Sequence, residues 1–229
     1  GYSSAEVIGR SPYELGIWGQ SSQRQALLDE IKEKGRISNR EILGRSRRGD
    51  LINVEISIEP ITINDTPCLL LTARDISQLK TAQAQVRHLA YHDPLTNLPN
   101  RALLMDRLSQ QTSLHERHDL RAALLFLDLD HFKHINDSLG HPVGDSVLKI
   151  ITARLEASVR NEDTVARLGG DEFVVLLTGL KGSLKEVTQS VRSTADTLRE
   201  LLAEPMFLDG QRLQVTPSIG IALLPDHGS

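Results

Sequence analysis

Two short apolar runs, Thr164–Leu168 and Phe173–Leu177, are separated only by Gly169-Gly170-Asp171-Glu172. Adjacent β-prone runs with so short a Gly-containing link fold back on each other, so the spacing predicts a β-hairpin. Its tip then carries two carboxylates beside backbone with no Cβ to hold a ligand away. A metal ion and a phosphate chain can approach such main chain closely. The same residues also serve ordinary exposed turns, so the hairpin by itself leaves chemistry and plain structure equally open.

A second stretch narrows the choice. Ala122–Leu127 is a continuous apolar run, which predicts a strand buried on both faces. It ends in Asp128-Leu129-Asp130, and carboxylates at i and i+2 point to the same side of a strand. Helical periodicity follows over Val143–Arg160, where Val147, Ile151, Leu155 and Val159 recur every four residues, and again over Leu184–Leu202. Strand signals return at Met206–Leu208, Gln211–Thr216 and Ser218–Ala222. Helices and strands alternating around one buried strand predict an α/β or α+β domain with a central mixed sheet.

The first 75 residues read differently. In Leu51–Glu59 the even positions Ile52, Val54, Ile56 and Ile58 are β-branched and the odd ones from Asn53 on are polar, the period of a half-buried strand. Arg48-Gly49-Asp50 and Asn64-Asp65-Thr66-Pro67 are turns to neighbouring strands around Arg40–Arg47 and Cys68–Ala73. Short helices precede them, one capped by Ser3 or Ser4 and ended by Gly9, another over Ser22–Lys34. Residues 76–91 form a polar, helix-prone connector. There Leu79, Ala82, Val86 and Leu89 sit at steps of three, four and three, the seam of a short coiled coil or the inner face of a lone amphipathic helix. His92–Arg101 is turn-rich and opens a helix to about Ser109, with His115 and His118 expected in a solvated loop.

Composition excludes several classes. A formal net charge of −4 gives no electrostatic footprint for duplex nucleic acid. The single Cys68 forbids an internal disulfide and suits a reducing, cytoplasmic setting. No apolar run reaches membrane-spanning length and no signal peptide is visible, although Gly1-Tyr2-Ser3-Ser4 does not look like a natural start and upstream anchoring stays open. His131 and His134 lack a His-Glu-x-x-His pattern or Cys pairs and are not read as a zinc site.

Gly169–Phe173 spells the signature of the GGDEF family, and Leu127–Asp145 together with the His92–Arg101 opening resembles that family at nearly every diagnostic position. The likeness covers residues 92–222 and implies a diguanylate cyclase, which joins two GTP into cyclic di-GMP with Mg²⁺ or Mn²⁺ at a homodimer interface. It implies Asp128, Asp171 and the Leu129 carbonyl as metal ligands. Asp171 is the first choice and Glu172 the second for accepting a proton, with Lys133 offsetting phosphate charge and Asp130 supporting. It places Asn136 and Asp145 on guanine, with His141, Phe132, Gly169 and Gly170 also at the nucleotide. Asn136-Asp137 and Gly144-Asp145 taken alone read as caps and loop residues. Arg160 and Asp163, with Arg167 assisting, match the family's inhibitory product site. Asp93 and Arg101 match the pair that ties down its opening turn.

Tyr2–Gly9, Arg48-Gly49-Asp50 and Arg74-Asp75-Ile76-Ser77 resemble the C-terminal half of a PAS domain, a signal-coupling or dimerising module whose ligand is unknown. The family continues with a helix whose Lys and Arg hold the triphosphate, so the chain is expected to be a fragment. A regulatory nucleotide-binding module controlling a downstream EAL phosphodiesterase is the alternative reading. A purely structural PAS-driven dimer ranks last because it leaves the carboxylates unexplained.

Overall fold

The alternation in residues 51–59 is expressed from Ile56 on: Ile56 and Ile58 are buried with Leu27 and Ile37, whereas residues 52–55 are all half-buried. The computed structural model describes residues 1–19, 21–118, 120–208 and 210–225, without the side chains of 21–24 and 112–118. The described chain divides into two compact units, Gly1–Val86 and Arg87–Ser229. In the first, helices α1 (Ser4–Val7) and α2 (Ser21–Lys34) accompany an antiparallel sheet in the order β1 (Ile37–Arg45), β2 (Leu51–Ile63), β3 (Thr66–Asp75). Asn64 and Asp65 both have positive φ, as a two-residue type I′ hairpin needs. Helix α3 (Ser77–Tyr91) follows as the predicted connector and buries none of its residues.

The second unit is built on β4 (Arg121–Leu129). Helices α5 (Phe132–Leu139) and α6 (His141–Ser158) lead to the hairpin β5 (Thr164–Gly169) and β6 (Glu172–Leu180). Helix α7 (Leu184–Leu202), a small hairpin β7 (Met206–Leu208) and β8 (Gln211–Leu213), and β9 (Pro217–Leu224) complete it. The sheet order is β5-β6-β4-β9. Two crossovers, β4 to β5 and β6 to β9, each have one strand inserted between their ends, the split βαβ of ferredoxin-like folds. The α+β class stands, but the expected mixed sheet resolves into antiparallel pairings throughout the described strands. The inserted strands are the reason: β6 separates β4 from β5, which runs in the same direction.

The two faces of β4 have different neighbours. Ala123, Leu125, Leu127 and Leu129 enter the main core with α6 and α7, whereas Ala122 and Leu124 meet Leu104 of α4 (Arg101–His118). The expectation of burial on both faces fails at Phe126, which is 48% exposed where α4 no longer covers the sheet. Helix α4 also runs well past Ser109. It begins at the cap Asn100, whose Oδ1 accepts from the amides of Ala102 and Leu103 at 2.9 and 3.2 Å. His115 and His118 are therefore helical rather than in a loop, and their side chains lie outside the described residues.

Candidate active site

The hairpin closes as its letters predict. Gly169 pairs with Glu172, leaving Gly170 and Asp171 as the two turn residues. Gly170 has φ 55°, the positive value that a type II′ turn requires at its first central position. The tip is held from below by Arg167, which is only 9% exposed. Its Nε and Nη2 donate to the Gly170 carbonyl at 3.0 and 2.7 Å, and its Nη1 donates to Asp93 Oδ1 at 2.8 Å. Asp93 also accepts from the Thr96 amide and hydroxyl. Burial pushes the Asp93 carboxyl up, but the Thr96 and Arg167 hydrogen bonds outweigh it and hold the group below the usual carboxylate range. Asp93 thus pairs with Arg167, and three of the five Arg167 N–H donors are spent on Asp93 and the hairpin.

Three strands then bring the acidic groups together. Asp128 at the end of β4 lies directly opposite Glu172 on one side and Ser218 on the other. Asp128 and Glu172 border a groove of about 580 Å³ whose floor and walls include Phe126, Leu168, Ser218 and Arg101. Like charges directly opposite in a ladder repel, and a cation between them relieves that cost. The donors are hard oxygens, two carboxylates with a third, Asp171, at the adjoining tip and the Leu129 carbonyl nearby. No three His, Cys, Asp or Glu side chains among the described residues form a ready-made metal cage. Mg²⁺ does not ask for one, since it is commonly held by one or two carboxylates and completed by substrate phosphates and water. Asp130 does not join this set: its carboxylate takes the hydroxyls of Ser218 and Thr216, which lower its pKa.

The expected nucleotide readers lie on α5 and α6. A Cβ built on Gly144 would meet Asn136 Oδ1 at 2.0 Å and the Phe132 ring at 3.2 Å, so only glycine lets the two helices approach here. Asn136 and Asp145, next to Gly144, are interior helix residues and not caps. Phe132 is buried in the core, so its ring is structural, and what it presents is the first turn of α5. Lys133, His141 and Asp145 are exposed. The lining of the groove includes none of Asn136, His141 and Asp145. The carboxylates and the residues expected to read the base are therefore separate sets.

Residues 90–229 match the family model described as "Diguanylate cyclase, GGDEF domain". The chain belongs to the GGDEF family. It is 41% identical over 152 residues to the bifunctional diguanylate cyclase/cyclic di-GMP phosphodiesterase MucR of Pseudomonas aeruginosa, a match covering 66% of this chain and 21% of MucR. The solved GGDEF domain of P. aeruginosa TpbB is 43% identical, with a TM-score of 0.56 over 60% of this chain and 77% of that one. The coiled coil and GGDEF domain of Caulobacter crescentus DgcB, solved with c-di-GMP, is 27% identical, with a TM-score of 0.56 over 65% and 76% of the two chains. The chain spans about a fifth of MucR and a third of the curated TpbB.

In this GGDEF domain Arg160 and Asp163 are neighbours across a tight turn. Asp163 Oδ2 accepts from the Arg160 amide at 3.2 Å and Oδ1 from the Thr178 amide at 3.0 Å. Both line a hollow of about 90 Å³ with Thr178, Ser190 and Thr194, and the Arg160 side chain is exposed. The resemblance to the family pointed to this pair and to the carboxylates. It missed the Asp93–Arg167 clamp and the hydroxyls of Thr216 and Ser218, whose partners lie far away in sequence and carry no local signal.

Proposed function

We propose that the chain is the catalytic GGDEF portion of a diguanylate cyclase, condensing two GTP into cyclic di-GMP and pyrophosphate. The observation that carries the reading is the register that sets Asp128 opposite Glu172 and beside the clamped Asp171 tip. Asp128, Asp171 and the Leu129 carbonyl would hold Mg²⁺ or Mn²⁺. When bound, the ion supplies charge neutralisation on the phosphates. The chain's own residues do the rest. Asn136 and Asp145 offer a donor to guanine O6 and an acceptor to N1–H and N2–H. Lys133 offsets charge on the phosphates, with His141 near the base or sugar. Asp171, or failing it Glu172, takes the proton as the 3′-oxygen of one GTP attacks the α-phosphorus of the other. A P–O bond to the 3′-oxygen forms, the α–β bridge breaks and pyrophosphate leaves; the reciprocal attack by the other 3′-oxygen closes the ring and releases the second pyrophosphate. Each domain presents one nucleotide, so ring closure needs two copies.

Two features support a homodimer. The α3 seam residues Leu79, Val86 and Leu89 are 51%, 67% and 60% exposed, an apolar stripe suited to a helical partner. The first unit, two helices and a three-stranded antiparallel sheet, resembles a PAS half in sequence, and we assign it the regulatory role. No described helix is long and apolar enough to cross a membrane, and the nucleotide chemistry suits the cytoplasm. Arg160 and Asp163 are assigned to product binding, Arg160 offering a planar fork to phosphate or guanine. Arg167 would only assist there, since three of its five N–H donors already serve Gly170 and Asp93.

A second reading rests on the likeness to bifunctional MucR: the domain would bind nucleotide and regulate a phosphodiesterase. One experiment separates them. Incubation with GTP and Mg²⁺ followed by chromatography gives cyclic di-GMP from the wild type, and Asp171→Ala loses at least about a hundredfold of that rate. Unchanged synthesis in Asp171→Ala contradicts the assignment, and altered hydrolysis by a downstream domain without synthesis supports the regulatory module.

A further inference from the structure

Asp130 stands one residue past the end of β4, and three hydrogen bonds tie it to the start of β9. Its Oδ2 accepts from the Thr216 hydroxyl and its Oδ1 from the Ser218 hydroxyl, both at 2.7 Å, while its amide donates to the Thr216 carbonyl at 2.8 Å. Short bonds to an ionised acceptor are the strong ones. Ser218 is also the ladder partner of Asp128 and lines the groove beside it. Immediately after the tether, His131 takes a left-handed conformation, φ 60°, that a bulky side chain adopts only when the surroundings hold it there. The chain thus turns sharply from the Asp128-Leu129 strand end into α5, which carries Lys133 and Asn136.

We propose that Asp130 is a positioning residue, acting through Thr216 and Ser218. It locks the turn that presents the Asp128 carboxylate and the Leu129 carbonyl, and so makes the start of β9 part of the site. The inference rests on the reading of Asp128 and Leu129 as metal ligands. Direct ligation by Asp130 is disfavoured by geometry, since both its oxygens already accept hydroxyl protons and swinging onto a cation would break those bonds. The tether explains why one strand end carries two acids with different tasks. Asp128 stays exposed at the rim, and Asp130 is turned against β9.

The test is Mn²⁺ binding followed by electron paramagnetic resonance, alongside GTP kinetics, for the wild type, Asp130→Ala, Asp130→Asn and the double variant Thr216→Val/Ser218→Ala. Thermal melts check that each is folded, and the double variant carries the test if Asp130→Ala is not. Removing outer partners of metal ligands weakens metal affinity or activity roughly 10–100-fold, and that loss is expected of Asp130→Ala and of the double variant. The loss should fall on kcat and the Mn²⁺ requirement more than on KM for GTP, because the tether holds the Asp128-Leu129 strand end directly and reaches Asn136 only through the turn into α5. Asp130→Asn keeps an acceptor for one hydroxyl and a donor to the other, and should stay close to wild type. Asp130→Asn as impaired as Asp130→Ala, with a normal double variant, would make Asp130 a direct ligand and overturn the proposal. So would wild-type Mn²⁺ binding in all three variants. A wild type that binds Mn²⁺ tightly yet makes no cyclic dinucleotide counts against the cyclase reading alone, and the order of Mn²⁺ affinities still decides the tether.

Discussion

At Gly144 a single missing methyl decides where Asn136, the proposed reader of guanine, stands. A Cβ there would overlap Asn136 Oδ1 at 2.0 Å, so Gly144→Ala must displace either the amide or the whole of α5. Overpacking of this kind costs about 1–3 kcal/mol. The variant should raise KM for GTP more than it lowers kcat, and a GTP titration by calorimetry reads the same loss. Asp93 makes a different residue-scale prediction. Its carboxyl is held below the ordinary range, which is about 3.9 for Asp. A depressed folded-state pKa adds stability above the unfolded pKa and loses it as pH falls through the folded one. Asp93→Asn should therefore melt earlier than wild type at neutral pH, by roughly 1–2 kcal/mol for hydrogen bonds to a charged group. The gap should hold down to about pH 5 and close below about pH 4. Melting curves across pH check both, and a gap that widens in acid would contradict the clamp.

Among the elements, the β5–β6 hairpin was fully legible because it is local: two apolar runs and a glycine link leave few alternatives. β4 was legible in existence but not in its surroundings. Periodicity cannot tell a strand covered on both faces from one that α4 leaves open at Phe126, since both are written as an unbroken apolar run. The antiparallel sheet was illegible for a related reason, as strand order depends on which strand inserts between which and local sequence does not encode insertion. The turn before the hairpin was singled out only through its resemblance to the family's product site. Its structure sharpens the reading: Asp163 is held by two backbone amides, whereas the Arg160 side chain is exposed. Arg160→Ala should thus leave the fold and the initial rate intact. It should also raise the cyclic di-GMP concentration needed for half inhibition by about tenfold, the loss of one charge-assisted contact. Product added to initial-rate assays measures this, and an unchanged inhibition curve removes Arg160 from the product site.

For the whole molecule, the proposed function makes the acids insufficient by themselves. On that proposal Asp128, Asp171 and Glu172 belong to one domain presenting one nucleotide, and the attacking 3′-hydroxyl has to arrive on another. On the proposed function the exposed seam of α3 is the surface for that meeting, and the clamp from Asp93 through Arg167 fixes the hairpin to be aligned. None of this coupling is written in local spacing, because Asp93 and Arg167 are 74 residues apart and meet only once the fold is made. The most direct measurement is the specific rate of cyclic di-GMP formation from GTP and Mg²⁺ as protein concentration is varied through the monomer–dimer transition, followed in parallel by ultracentrifugation. The rate per protomer should rise with the dimer fraction and level off when dimerisation is complete. A rate per protomer that stays constant into the fully monomeric range, or no cyclic dinucleotide at any concentration, would contradict the account.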